Sequence, residues 1–243
     1  MKPSLQQPQE DAKKRILDAA VKLFAKKGYD GTRVNEIAEA ANVTKGLIYY
    51  YFKSKEEILD CLLHLLLEDF TALAMEFVRN NIIPMIKSGE LDIEPDRLHF
   101  SNEEAIMGFL RNTYGYFEEA LDFALKNRDI LRILMLESLK DGKYRRNIFQ
   151  ALHLLKGEEE NPVYKTLAEV DRDFTYSDDL VCIRFFFSLV PLVSFAIYYD
   201  DFQKLNILSG EELRASFLRS SQFVLNAMVS GRDILLPKKE VES

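Results

Sequence analysis

Apolar side chains at Ile16, Leu17, Ala20, Leu23 and Phe24 recur at three- and four-residue intervals, and this spacing predicts an amphipathic first helix over 12–27, with Gly28 as its stop. Thr32 is placed to cap a second helix over 34–40, its hydroxyl accepting a free backbone N–H of the first turn. Asn42 supplies the tight connection that follows, because Asn tolerates left-handed backbone better than most residues with a Cβ. Thr44 then caps a third helix. Ser54 and Glu57 form a capping box that opens a fourth helix, apolar on more than one face between Ile58 and Val78.

Beyond it, Pro84 and the stretch SGELDIEPDRLHF predict one long irregular segment, ended by a second capping box at Ser101 and Glu104. Helices are expected over 102–126 and 128–141, the latter closed by Gly142, with shorter ones at 144–156 and 162–170. Two long final helices follow, over 178–201 and 210–230, the second opening with Ser209 and Glu212 and closing at Gly231. The expected fold class is all-α: a three-helix helix-turn-helix domain over 11–55 after a disordered lead-in at 1–10, then a helical bundle over 56–243.

Composition supports this picture. Of 243 residues, 47 % are apolar and 29 % charged, which excludes intrinsic disorder, and only 10 Gly and 7 Pro leave few tight turns for a sheet protein. Cys61 and Cys182 lie in apolar helical sequence and indicate neither a disulfide framework nor a metal cluster, so a reducing cytoplasm suits the chain. The apolar run Leu180–Tyr199 is interrupted by Arg184, Ser188, Pro191 and Ser194 and flanked by acids, which suits a buried helix better than a membrane span.

Charge is unevenly placed. Residues 1–55 hold eleven basic and six acidic side chains, a balance of +5, whereas residues 56–243 hold 21 basic and 33 acidic ones, a balance of −12. A basic N-terminal quarter on an acidic body points to a polyanion partner at that end. At about 100° per residue, Ile48, Tyr51 and Phe52 share the core side of the third helix, leaving Lys45, Gly46, Tyr49 and Tyr50 on an outward arc. That arc suits the DNA major groove. Lys45 is able to neutralise phosphate or bond guanine, the tyrosines to donate to phosphates over apolar ring contacts, and Gly46 to admit close backbone approach. Arg33 and Thr32 stand where the second helix presents free N–H groups to phosphate, and Lys55 repeats the arrangement on the fourth helix.

The run RILDAAVKLFAKKGYDGTRVNEIAEAANVTKGLIYYYFKSKEEIL closely resembles the N-terminal domain of TetR-family transcriptional regulators. Phe24 followed by Gly28 and Tyr29, Thr32, Ile37 with Ala38, and the block TKGLIYYYFKSKEE carry the likeness. The resemblance implies a homodimer on a palindromic double-stranded operator, usually a repressor released by a small ligand, with DNA contacts from Thr32, Arg33, Thr44, Lys45, Gly46, Tyr49, Tyr50 and Lys55. Tyr51 stands where the family often has His, which weakens any contact assigned there.

The final two helices carry more apolar surface than one bundle core needs, so pairing through 178–201 and 210–230 across a two-fold axis is expected. Pro191 should kink its helix and leave room for a small, mainly apolar effector beside Phe109, Tyr114, Phe117, Phe123, Phe149 and Phe187, with Arg111, Arg132, His153 or Arg184 as polar anchor. No cofactor is expected. His64, His99 and His153 have no metal spacing, and nucleotide-binding and nucleophile-elbow motifs are absent, so an enzyme or lipid carrier is the distant alternative. A DNA-binding activator or nucleoid-associated protein without an inducer is the nearer one.

Overall fold

A computed structural model of the chain describes residues 7–94, 97–140, 161–171, 174, 181–205 and 208–230. Two compact units are present: the first gathers the described residues of Met1–Asp69 and Asn127–Ile148, the second those of Phe70–Lys126 and Phe149–Ser243.

The first unit holds α1 (Gln7–Lys27), α2 (Val34–Ala40), α3 (Lys45–Tyr51), the N-terminal part of α4 (Lys55–Phe77) and α7 (Arg128–Ser138). Helix α1 begins inside the stretch expected as disordered lead-in. Its apolar face supplies Ile16, Ala20 and Phe24; neither these nor Ile37 of α2, Ile48 and Phe52 around α3, and Ile58 and Leu59 of α4 are more than 2 % exposed, and α2 packs on both α1 and α3. Helix α7 packs on α1 and adds Ile130, Ile133 and Leu134. Lys140, just beyond it, donates to Asp30 Oδ2 at 2.7 Å and to Oε1 of the buried Glu137 at 2.6 Å. The hydrogen bond and then the charge of Lys140 hold the Asp30 carboxyl below its ordinary range.

Several helix ends differ from expectation because a neighbouring group is better placed. Thr32 does not cap α2; it is 1 % exposed and donates to Gly28 O at 2.8 Å. Arg33 is the N-cap, and its backbone N–H donates to Glu36 Oε2 at 2.9 Å. Ser54 Oγ accepts from Glu57 N–H as expected, but the Glu57 carboxylate accepts from Lys53 N–H rather than from Ser54. At α6 (Glu103–Lys126) the cap is Asn102, whose Oδ1 accepts from Ala105 N–H at 2.9 Å, so the box at Ser101 is not formed. Gly28 (φ +77°) and Asn42 (φ +51°) do adopt the left-handed conformation at the ends of α1 and α2.

In the second unit, α4 does not stop at Val78. It passes through a π-helical segment, Val78–Ile82, into α5 (Ile83–Lys87). The expected irregular segment is a hairpin of β1 (Leu91–Glu94) and β2 (Arg97–Phe100), paired from Leu91↔Phe100 to Glu94↔Arg97. Four residues are too short for alternation to stand out in the sequence, yet Leu91 and Ile93 point inward while Asp92 is exposed. They join Met75, Val78, Ile82, Met85, Ala105, Val163 and Leu167 in one cluster. Helix α8 (Pro162–Ala168) is capped by Asn161, whose Oδ1 accepts from Val163 N–H at 2.9 Å.

The chain then runs through a second π-helical segment, Ile183–Leu189, into α9 (Val190–Leu205), and ends the described part with α10 (Gly210–Ser230). Helices α9 and α10 pack on α6, where Phe195 stacks on Phe217 at 4.0 Å between ring centroids and Arg214 holds Asp122 through two hydrogen bonds. Ser209 and Glu212 form the expected box, with bonds of 2.8 and 3.2 Å. Pro191 was expected to kink its helix; the distortion takes the form of π winding instead. Each π segment ends two residues before a proline, Pro84 or Pro191. Proline brings no N–H and its ring crowds the carbonyl four residues back, so the preceding turn opens to bonds spanning five residues, Ile83 N–H to Val78 O and Val190 N–H to Phe185 O. Helix 144–156, the start of helix 178–201, Gly142 and Gly231 lie outside the described residues.

Gly28 carries no packing contact that an added Cβ would disturb, so its conformation alone sets the cost of replacing it. Gly28→Ala should lower stability by about 1–2 kcal/mol, read as a lower urea midpoint at unchanged slope; an unchanged midpoint would contradict the left-handed cap.

Candidate nucleic-acid interface

Helix α3 has seven residues, too few to persist alone in water. It is held from one side. Thr44 Oγ1 accepts from Leu47 N–H at 3.2 Å, while Ile48 and Phe52 are 1 % and 2 % exposed beneath the helix. Tyr51 is half-buried and sets its ring edge-on to Tyr50 at 5.1 Å. What remains faces outward. Lys45 is exposed, Tyr49 and Tyr50 are 47 % and 71 % exposed, and the Lys45 ammonium lies 5.8 Å from the Tyr49 ring centroid. A side chain added at Gly46 would meet nothing of the protein closer than Thr44 Oγ1 at 3.9 Å, so packing does not require the glycine. Apart from their contacts with the Tyr51 ring and the Lys45 ammonium, the Tyr49 and Tyr50 side chains are large apolar surface left in water.

The other expected contacts divide into two groups. Arg33 is exposed at the start of α2, and Thr44 is exposed at the start of α3. Thr32 and Lys55 turn inward. The Lys55 ammonium donates to Tyr29 O at 2.7 Å and Thr32 O at 3.0 Å and lies 4.3 Å from the Tyr29 ring centroid, closing the loop between α1 and α2. Sequence spacing does not reveal this, because the partners are backbone carbonyls more than twenty residues away. Glu36 accepts from Lys27 Nζ at 2.5 Å, and that bond, with the Arg33 N–H second, lowers its pKa, keeping it ionised beside the start of α2.

The expected effector residues are not gathered into one pocket. Arg132 lies on the exposed side of α7, in the first unit. In the second unit Phe109 packs with Phe100 at 5.2 Å, Tyr114 donates to Asn226, Phe117 stacks on Phe217, and Phe187 is 61 % exposed. Arg184 acts on Tyr116, whose hydroxyl is raised in pKa by burial and drawn back by that charge. Phe149 and His153 lie outside the described residues. Two open clefts are found among the described residues of the second unit instead. One of about 570 Å³ lies beside the hairpin, bordered by Leu91, Asp92, His99 and Ser101. The other, about 260 Å³, lies beside the first π segment, bordered by Asn80, Asn81, Arg111 and Tyr116. Phe109 and Phe117 thus have ring partners within the second unit, and packing is the commoner use of such residues. No group of His, Cys, Asp and Glu able to hold a metal occurs among the described residues.

Comparison with known proteins bears on the first unit most directly. The profile described as bacterial regulatory proteins, tetR family, matches residues 16–62. The biofilm operon icaADBC negative transcriptional regulator IcaR of Staphylococcus epidermidis is 46 % identical over 46 residues, 19 % of this chain and 25 % of that protein. IcaR of Staphylococcus aureus (strain NCTC 8325) is 48 % identical over the same length. The chain therefore matches about a quarter of the length of these curated relatives. Over most of the chain the likeness is one of fold. The regulator FadR of Bacillus subtilis, solved in complex with stearoyl-CoA, is 20 % identical and covers 89 % of this chain and 97 % of its own, with a TM-score of 0.51. Salmonella enterica GusR is 16 % identical and covers 95 % and 100 %, with a TM-score of 0.55. Residues 16–62 are thus the N-terminal domain described for the tetR family of bacterial regulatory proteins.

Proposed function

We propose that the protein is a homodimeric, cytoplasmic, DNA-binding transcriptional repressor that places α3 in the major groove of a palindromic operator and is released by a small, mainly apolar ligand. The outward side of α3 carries this reading: a cation and two phenols stand in solvent on a helix whose opposite side is fully engaged. At about 1.5 Å per residue the helix is roughly 10 Å long, which fits a groove about 12 Å wide. Lys45 contacts phosphate or a guanine edge, and Tyr49 and Tyr50 donate to phosphates over apolar contact with sugars or thymine methyls. Thr44, Gly46 and Arg33 complete the surface. Thr32 and Lys55 support it from within.

Dimerisation is supported by apolar surface that the single chain leaves uncovered. Ile183–Leu205 is long and apolar enough to cross a membrane by composition, and little of it is buried within the chain. Phe186, Phe187, Tyr198, Phe202 and Leu205, with Phe223 on α10, are at least half exposed. A two-fold pairing of these helices covers such a surface and presents two α3 helices to half-sites about 34 Å apart. Repression is what the names of the IcaR relatives state for those proteins, and an acyl-CoA is what the FadR structure holds. In this chain, the ring of Phe217 stacks with both Phe117 and Phe195, an apolar cluster of matching character.

On a duplex selected from a random library, Lys45→Ala should weaken binding and reduce the salt slope by about one if the contact is to phosphate. Tyr49→Phe should bind better than Tyr49→Ala, since it loses a hydroxyl and keeps the ring; equal affinities for wild type and both variants would remove Tyr49 from the contact set. For the seam, Phe187→Glu should shift the protein from dimer to monomer in sedimentation at micromolar concentration, and a dimer that persists would place the interface elsewhere.

A further inference from the structure

Helix α2 is seven residues long and, like α3, is too short to keep its direction unaided. Both of its ends are held by cations from outside. Lys55 of α4 binds the carbonyls of Tyr29 and Thr32, just before α2. Arg15 of α1 reaches the opposite end: its Nη1 donates to Ala41 O at 3.2 Å and, more weakly, to Asn42 O at 3.5 Å, while its Nε lies 3.5 Å from Asp11 Oδ2.

Ala41 is the C-cap of α2, where carbonyls lack intrahelical donors and the helix dipole favours positive charge. Asn42 is the left-handed residue of the turn, a conformation that disfavours any side chain with a Cβ. The turn is further drawn together by Val43 N–H to Ala38 O at 3.0 Å and Asn42 N–H to Glu39 O at 3.1 Å. Between Ala41 and the first residue of α3 there are three residues, so α3 inherits its direction from this turn.

We propose that Arg15, one residue before the stretch the family profile matches, is a positioning residue for DNA reading: its guanidinium clamps the carbonyls of the α2–α3 turn and thereby fixes the direction of α3. The inference rests on the DNA-binding reading above for its consequence, and on Arg15 geometry alone for the clamp. A guanidinium engaged with carbonyls acts on binding through shape rather than by neutralising phosphate. Its loss therefore weakens the selected duplex more than an unrelated one and leaves the salt dependence unchanged.

Arg15→Met keeps most of the stem and removes the donors; Arg15→Lys keeps the charge without the planar fork. Without DNA, amide hydrogen exchange at Asn42, Val43 and Thr44 should quicken about tenfold in Arg15→Met and by less in Arg15→Lys, with helical circular dichroism retained. With DNA, fluorescence anisotropy should show about a tenfold loss for Arg15→Met on a library-selected duplex, little loss on a scrambled duplex, an unchanged salt slope, and partial recovery in Arg15→Lys. Unchanged exchange in both variants overturns the clamp. Equal losses on both duplexes with a slope lower by about one would make Arg15 a phosphate ligand and overturn the positioning role. Should Arg15→Met fail to fold, the exchange rates of Arg15→Lys decide the clamp by the same criterion. If the wild-type protein selects no duplex, the DNA-binding reading fails, while the exchange measurement still decides the clamp.

Discussion

The burial of Ile48 and Phe52 beneath a seven-residue helix is the constraint on which the candidate interface depends. A segment of that length has no helical stability of its own. Two large apolar side chains on one side, and a threonine cap at its start, supply what the backbone lacks. All packing duty then falls on one side of the helix. The other side is released to carry Lys45, Gly46, Tyr49 and Tyr50 in an order that packing did not choose.

The same economy of scale explains why cations matter inside so basic a domain. Short helices separated by connections of three to six residues leave many carbonyls and N–H groups near their ends without backbone partners. Lys55, Arg15, Glu36 and Glu57 each reach one of these groups from a distance of three to twenty-seven residues. Net charge therefore overstates the electrostatic surface offered to a polyanion, because part of the positive charge is held against the protein's own carbonyls. Lys140, between Asp30 and the buried Glu137, uses a cation in the same way to tie the end of α7 to the loop before α2.

Periodicity in the sequence identified α1, α6 and α7 because each buries several residues of one apolar face, and Thr44 and Ser209 with Glu212 cap where their spacing indicated. It placed Ile48 inward and Tyr49 and Tyr50 outward for the same reason. Thr32 was misread as a cap because a hydroxyl before a helix has two uses, and Gly28 O offered the better one. The hairpin was missed because four-residue strands carry too little alternation. Aromatic side chains on helices look alike in the sequence whether they line a cavity or fill one, so spacing alone does not assign the effector residues. The contact of Arg15 with the α2–α3 turn had no signal: its partners there are main-chain atoms, which every residue possesses.

The π segments before Pro84 and Pro191 bear on how this chain tolerates changes in length. Bonds that span five residues in place of four accommodate one additional residue in the winding, so each segment marks a spot where the helix has absorbed an extra position without breaking. Removing one residue from Ile183–Leu189 would let it rewind as ordinary α-helix, and because the extra residue is taken up within the wider turns, the flanking turns would keep nearly their present facing. The side chains inside the segment, Phe185 and Phe186 among them, are the ones whose facing depends on the residue count, even though no contact residue had been substituted.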